Sequence, residues 1–294
     1  MPHDTPTHNL GPGGELPPLQ SLDQDRPKLE RLIKPNRLIA LLCLVVLGLI
    51  PSFAFFVWIE RNLALPWVQV KLGWPWPNIG DLGYGSLTLR IAWDAVLISA
   101  FGIIHSVLAQ KGPKKWLSRI LAPQLVRPFY VICTGIALIG VMACWQYTGR
   151  VLWALNFPQS LAYALSVSLF WGFTGLAVFI LSAFDLPEFI GLKQLYSSRT
   201  ELIKPRHDHR PLCTTGFYGH HRHPTYVLLL LAIFVTPIMT LDRFILGSTI
   251  FVYLLFAVPI EERKLIEEYG PQYLQYRKRV PGFFPNLLSK TPRL

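Results

Sequence analysis

Repeated apolar runs, long enough as helix to cross a hydrocarbon layer of roughly 30 Å, constrain this chain more than any other feature. Four lie at Leu38–Ile59, Leu87–Ala109, Pro128–Trp145 and Leu161–Phe184, and two more at Thr225–Met239 and Phe244–Ile260. Lipid offers no partner to a backbone N–H or C=O, so runs of this kind become helices. The expected fold is an all-α polytopic membrane helix bundle of about six spans. Only Thr240-Leu241-Asp242-Arg243 separates the last two runs, which makes 225–260 an antiparallel helical hairpin. Both of its arms are short, so the hairpin is tilted or spans only in part.

Basic residues set the orientation. Arg26, Lys28, Arg31, Lys34 and Arg37 precede the first run, and Lys111, Lys114, Lys115, Arg119 and Arg127 separate the second from the third. Lys193 to Arg222 and Arg263 to Arg293 are basic again, whereas the alternate loops hold only Arg61, Lys71, Arg90, Arg150 and Arg243. Both termini are therefore expected on the cytoplasmic side. Basic loops beside anionic lipid headgroups account for the net charge of +11, so no nucleic-acid partner is needed. Residues 1–25, rich in Pro, Gly, Asp and Thr, read as a disordered cytoplasmic arm. A four-span half over 26–184 and a C-terminal half over 185–294 follow. Pro66-Trp67 and Trp74-Pro75-Trp76-Pro77 suit an aromatic belt at headgroup level. Cys43, Cys133, Cys144 and Cys213 lack metal-ligand spacing and read as packing residues.

The ends of the hairpin carry the chemistry. Arg222-His223-Pro224-Thr225-Tyr226 opens it and Glu261-Glu262-Arg263-Lys264-Leu265 closes it. An antiparallel hairpin brings these two ends to the same membrane face. Pro224 fits the first helical position, which leaves Arg222 and His223 at a helix N-terminus with free backbone donors. Glu261 and Glu262 supply carboxylates for an ammonium or a ribose hydroxyl. Cationic and anionic ends side by side suit a zwitterionic ligand. The same residues also fit ordinary juxtamembrane charges and a solvated helix end. Beyond them, Tyr269, Tyr273 and Tyr276 recur at helical spacing, as packing residues commonly do.

Ionisable groups within the apolar runs ask for a role. Asp94 and His105 share a helix face about three turns apart, too far to touch. His105 lies on the side of the Arg-His and Glu-Glu ends; it serves there as a functional base or as a bridge between helices. Asp185-Leu186-Pro187 and the segment Glu188 to Tyr196 form an amphipathic interfacial stretch able to close a site from the cytoplasmic side. His207, His209, His220, His221 and His223 cluster nearby, but no carboxylate or thiolate set completes a metal site around them, so no metal is expected.

Arg222-His223-Pro224-x-Tyr226, Glu261-Glu262-x-x-Leu265, Gly270-x-x-Tyr273-x-x-Tyr276 and Val280-Pro281-x-x-x-Pro285 resemble the C-terminal signature of the membrane methyltransferases typified by isoprenylcysteine carboxyl methyltransferase and the phospholipid N-methyltransferases. His105-Ser106-Val107-Leu108-Ala109, Gly191-Leu192-Lys193-Gln194 and Thr236-Pro237-x-Met239-Thr240 are similar to the branch that holds methanethiol S-methyltransferase and nurim. The resemblance implies S-adenosylmethionine at the cytoplasmic face, held in 185–294 by Arg222, His223, Tyr226, Glu261 and Glu262 with support from Tyr273 and Tyr276. Aromatic faces at Tyr218, Tyr226 or Tyr273 suit its sulfonium. The implied reaction is methylation of a small thiol such as methanethiol, with His105 as the base that forms the thiolate and Glu262 also catalytic. A prenylcysteine carboxylate or a phospholipid is the alternative acceptor, and a non-catalytic nurim-like membrane protein the alternative class. Leu228 stands where the family has glycine, a departure shared with nurim. A bacterial inner membrane is favoured over an endoplasmic or nuclear one.

Overall fold

A computed structural model describes residues 36–60, 85–181, 185–197 and 212–282. The arm at 1–25, the Trp-Pro segments at 66–77, His207, His209 and Pro285 lie outside the described residues. Five helices are long and apolar enough to cross a membrane: α1 (Arg37–Trp58), α2 (Leu87–Leu108), α4 (Pro123–Cys144), α5 (Gln159–Leu181) and α9 (Leu241–Tyr269). The protein is an all-α polytopic membrane bundle. Shorter elements complete it: α3 (Lys111–Ile120), α6 (Leu186–Phe189), α7 (Leu192–Tyr196), α8 (Pro224–Phe234) and α10 (Pro271–Arg279), with strands β1 (Val151–Ala154) and β2 (Ile238–Thr240).

Helix starts follow local chemistry. Ser86 accepts from Leu89 N at 3.2 Å to open α2, and Thr240 accepts from Arg243 N at 3.1 Å to open α9; each answers an N–H that the first turn leaves unpaired. α1 loosens into π-helix over Leu44–Leu49, where it meets α4. A Cβ on Gly135 would lie 2.1 Å from Leu47 O and 2.8 Å from Gly48 Cα, so the two backbones touch only because both residues are glycine. In lipid such close packing replaces hydrophobic drive between helices. The outward faces remain apolar: Phe53, Val96, Ile103, Phe179 and Phe256 are all exposed, as a lipid-facing belt requires.

The hairpin differs from its expected form. α8 stops at Phe234 and is about 16 Å long at 1.5 Å per residue, whereas α9 runs on to Tyr269. Pro237 disfavours helix at the residue before it. Thr236 Oγ1 then accepts from Ile238 N and donates to Ile238 O, and the chain leaves as β2, antiparallel to β1. The turn is thus 235–240. Leu241-Asp242-Arg243 is the first turn of α9, not the connecting loop that its charges suggest.

Arg243 is fully buried, with Nε donating to Ile233 O at 2.7 Å and Nη2 to Ala232 O. It thereby satisfies carbonyls that the end of α8 leaves without helical partners. Asp242 accepts from Trp145 Nε1, Thr148 N and Thr148 Oγ1. Asp94, buried completely, accepts from Gln146 N at 2.9 Å. These bonds tie α2, the end of α4 and the start of α9 into one polar knot. Asp94 therefore has a structural place far along α2 from His105.

Candidate functional site

Pro224 occupies the first turn of α8, and His223 before it has φ −126° with no side-chain cap on the helix. Arg222 and His223 thus enter from an extended segment and sit at the helix mouth. α9 continues through Pro259 to present Glu261 and Glu262 beside them. Gly270 has φ +55°, a conformation open to glycine and costly for other residues. It breaks the tyrosine run between Tyr269 and Tyr273 and turns the chain into α10, whose start is fixed by Pro271. The extension is two helices, so Tyr273, Tyr276 and Arg277 fold back over the charges.

Glu262 is the centre. Only 5% exposed, its Oε1 accepts from Arg222 Nε at 2.8 Å and lies 3.3 Å from His223 Nε2, while Oε2 lies 3.3 Å from Arg277 Nε. Arg222 also donates through Nη1 to the carbonyls of Arg277 and Val280, and its backbone N donates to Pro281 O at 3.0 Å. Charge-assisted bonds of this kind are about twice as strong as neutral ones. They lock the C-terminal segment onto the mouth of α8.

Glu261 is different. Its side chain is 43% exposed, Oε2 accepts from Tyr226 O–H at 2.9 Å and lies 3.7 Å from His223 Nδ1. Its Oε1 has no hydrogen-bond partner among the described residues. The His223 and Tyr226 rings stack with centroids 5.6 Å apart. Tyr276 O–H donates to Tyr218 O at 2.7 Å. The Tyr273 hydroxyl is buried with no partner among the described residues, an expensive state for a polar group. Burial pushes the phenols of Tyr218 and Tyr273 up to about 12, so both are neutral donors at ordinary pH. Burial, with His220 beside it, pulls His221 below the usual imidazole value.

His105 stands apart from this cluster. Its Nε2 lies 2.7 Å from Tyr130 O–H and its Nδ1 3.3 Å from Thr134 Oγ1, both on α4. The next residue, Ser106, bonds Tyr253 O–H of α9 at 2.6 Å. A Cβ on Gly102 would meet the Tyr253 ring at 2.8 Å, so that glycine lets α9 come close. Tyr253 lies within electrostatic range of both Tyr130 and Tyr226. A belt of phenols therefore links the two groups.

Of the residues expected at the site, Arg222, His223, Tyr226, Glu261 and Glu262 meet directly, and Tyr273 lies in their field. Tyr276 reaches them through its edge-on contact with the Tyr273 ring. Leu228 is buried in α8. Sequence reasoning missed Arg277, although it falls one helical turn after Tyr273. It missed Tyr130 and Tyr253 because each looks like an ordinary aromatic in an apolar run.

The expected cofactor can be tested against these atoms. The unpaired Glu261 oxygen suits an ammonium or ribose hydroxyl, and the orphaned Tyr273 hydroxyl has a hydrogen bond to give. Together with the aromatic faces of His223 and Tyr226, they fit a zwitterion bearing a sulfonium.

A family described as a protein of unknown function, DUF1295, matches residues 126–280. The methanethiol S-methyltransferase of Crocosphaera subtropica is 32% identical over 211 residues, 70% of this chain and 79% of that protein. That of Mycobacterium tuberculosis is 31% identical, covering 65% of this chain and 77% of its own length. Nurim of Rattus norvegicus is 35% identical over 61% of this chain and 70% of nurim. No solved structure matches. The span matched by the family model holds every residue of the Glu262 cluster, and the chain belongs to the DUF1295 family of membrane proteins, in the methyltransferase-like branch shared by the methanethiol S-methyltransferases and nurim.

Proposed function

We propose that this protein is an integral-membrane, S-adenosylmethionine-dependent methyltransferase acting on a small thiol, with methanethiol as the reference acceptor. The observation that carries this reading is the convergence of Arg222, His223 and Tyr226 from one helix end with Glu261 and Glu262 from another, beside an unpaired buried Tyr273 hydroxyl. Glu261, Tyr226, His223 and Tyr273 hold the cofactor, while Glu262, pinned by Arg222 and Arg277, fixes their spacing, and Tyr276 anchors α10. When bound, S-adenosylmethionine supplies an electrophilic methyl group. The basic loops favour a cytoplasmic side for the site and for both termini.

His105 takes the proton from the acceptor thiol. A free thiol is mostly protonated at neutral pH, and only the thiolate is a strong nucleophile. Tyr130 and Thr134 lie within hydrogen-bond reach of the two ring nitrogens and fix the ring, and one of these contacts must open for the imidazole to take the proton.

A second reading, a non-catalytic nurim-like protein, draws support from the saturation of Glu262 by Arg222, His223 and Arg277 and from Leu228 in place of the family glycine. Calorimetry with S-adenosylmethionine on detergent-solubilised protein separates the two. Micromolar binding that weakens at least tenfold in Glu261→Gln supports the enzyme. No binding at millimolar cofactor leaves the scaffold. A thiol-against-lipid acceptor screen then tests the substrate class.

A further inference from the structure

A cleft of about 440 Å3 lies between α3, α4 and the α6–α7 strap, and none of the Glu262 cluster lines it. Arg127 faces it with its guanidinium 4.8 Å from the Tyr130 ring centre and 5.0 Å from that of Phe189, a slot that holds the group flat. Its Nε donates to Phe189 O at 2.8 Å, and its two terminal nitrogens donate to no described group. The ammonium of Lys114, also on the cleft, has no hydrogen bond or ion pair among the described residues. Burial, together with Arg127 and Lys264, pulls its ammonium below the usual lysine value. Two cationic heads, Lys114 and Arg127, therefore face the cleft with no ion pair to either among the described residues.

The cleft's carboxylates do not supply one. Asp185 accepts from Glu188 N at 3.1 Å to cap α6 and pairs with Lys193 at 2.7 Å. Glu188 also lines the cleft, but no ion pair joins it to Arg127 or Lys114 among the described residues. Gln194, also on the cleft, donates through Nε2 to Glu188 O at 3.2 Å, and its Oε1 is buried with no partner among the described residues. A ligand that fills this cleft needs a negative group at one end and a donor at the other.

Lys111 of α3 pairs with Glu267 at the charged end of α9 at 2.7 Å. Trp116, Ile120, Phe189 and Tyr196 on the surrounding elements are exposed, as side chains at a membrane interface are. Basic pockets between helices at this depth accept lipid headgroups. We propose that the cleft binds an anionic glycerophospholipid, with Lys114 and Arg127 on the phosphodiester and Gln194 Oε1 accepting from a headgroup hydroxyl, as phosphatidylglycerol offers.

The test is native mass spectrometry of the delipidated, detergent-solubilised protein with short-chain phosphatidylglycerol, phosphatidylcholine of equal chain length, and inorganic phosphate. Phosphatidylglycerol should bind about tenfold or more tightly than phosphatidylcholine, and Lys114→Gln should lower its affinity by a similar factor, the effect of one charge-assisted contact. Gln194→Leu should weaken phosphatidylglycerol but not phosphatidic acid, which has no headgroup hydroxyl. Lys114 has no described partner to lose, so its variant folds; thermal unfolding checks this. Equal binding of the two lipids, or an unchanged Lys114→Gln, overturns the proposal. So does inorganic phosphate binding as tightly as the lipid, because the site then takes a free anion.

Discussion

Arg222 Nε and Glu262 Oε1 lie 2.8 Å apart although 40 residues separate them in the chain. The pair is nearly buried, with side chains 12% and 7% exposed, and it joins the mouth of α8 to the charged end of α9. Breaking a buried pair leaves an uncompensated charge, which costs far more than the pair itself contributes.

Glu262→Gln should therefore destabilise the protein by about 3–5 kcal/mol, read as a large fall in the thermal unfolding midpoint in detergent. Glu261→Gln should leave the stability within about 0.5 kcal/mol of wild type, as exposed sites do. Its effect appears instead as weaker cofactor binding. Equal stability losses would mean that the two carboxylates share one structural role.

Tyr273→Phe removes a hydroxyl that has no partner, so the ligand-free protein should be unchanged or more stable by about 1 kcal/mol, while cofactor affinity falls several-fold. Its pH dependence has a definite sign. The folded phenol keeps its proton to about 12 against 10 in the unfolded chain, so the folded state binds more protons between those values. Stability is fully present below pH 10 and declines toward pH 12. Tyr273→Phe should flatten that decline in alkaline unfolding curves.

His105→Ala should reduce turnover of a thiol at neutral pH by about 100-fold or more, the range of a general base, with cofactor affinity unchanged. Tyr130→Phe frees the Nε2 side of the ring. As a positioning change it should lower kcat, shift the pH–rate profile and leave the acceptor KM in place. A turnover rate that rises with pH until the His105→Ala defect vanishes would agree with a base that forms thiolate. Unchanged turnover in His105→Ala at pH 7 would remove the residue from the mechanism.

Arg243→Met leaves the carbonyls of Ala232 and Ile233 without their donors. At about 1–3 kcal/mol for each unsatisfied buried group, unfolding should become easier by about 2–6 kcal/mol. Arg243→Lys, with one compact ammonium in place of a planar fork, should fall between. Differential scanning fluorimetry orders the three.

The sequence by itself determined the membrane class, since apolar length admits only helix in lipid. It also determined that Arg222-His223 and Glu261-Glu262 face each other, because a short connection between apolar runs permits only an antiparallel return. Tertiary structure decided what each of those residues does. Chain order treats Glu261 and Glu262 as equals. One helical step of about 100° turns Glu262 toward two guanidinium groups and an imidazole and leaves Glu261 half open beside Tyr226. Arg243 looked like a loop charge because its partners, the carbonyls of Ala232 and Ile233, are backbone atoms, which side-chain patterns do not display. Tyr130 and Tyr253 were hidden for a related reason: their hydroxyls acquire meaning only from His105 and Ser106 on a neighbouring helix, and which helices neighbour each other depends on close contacts at glycines such as Gly102 and Gly135.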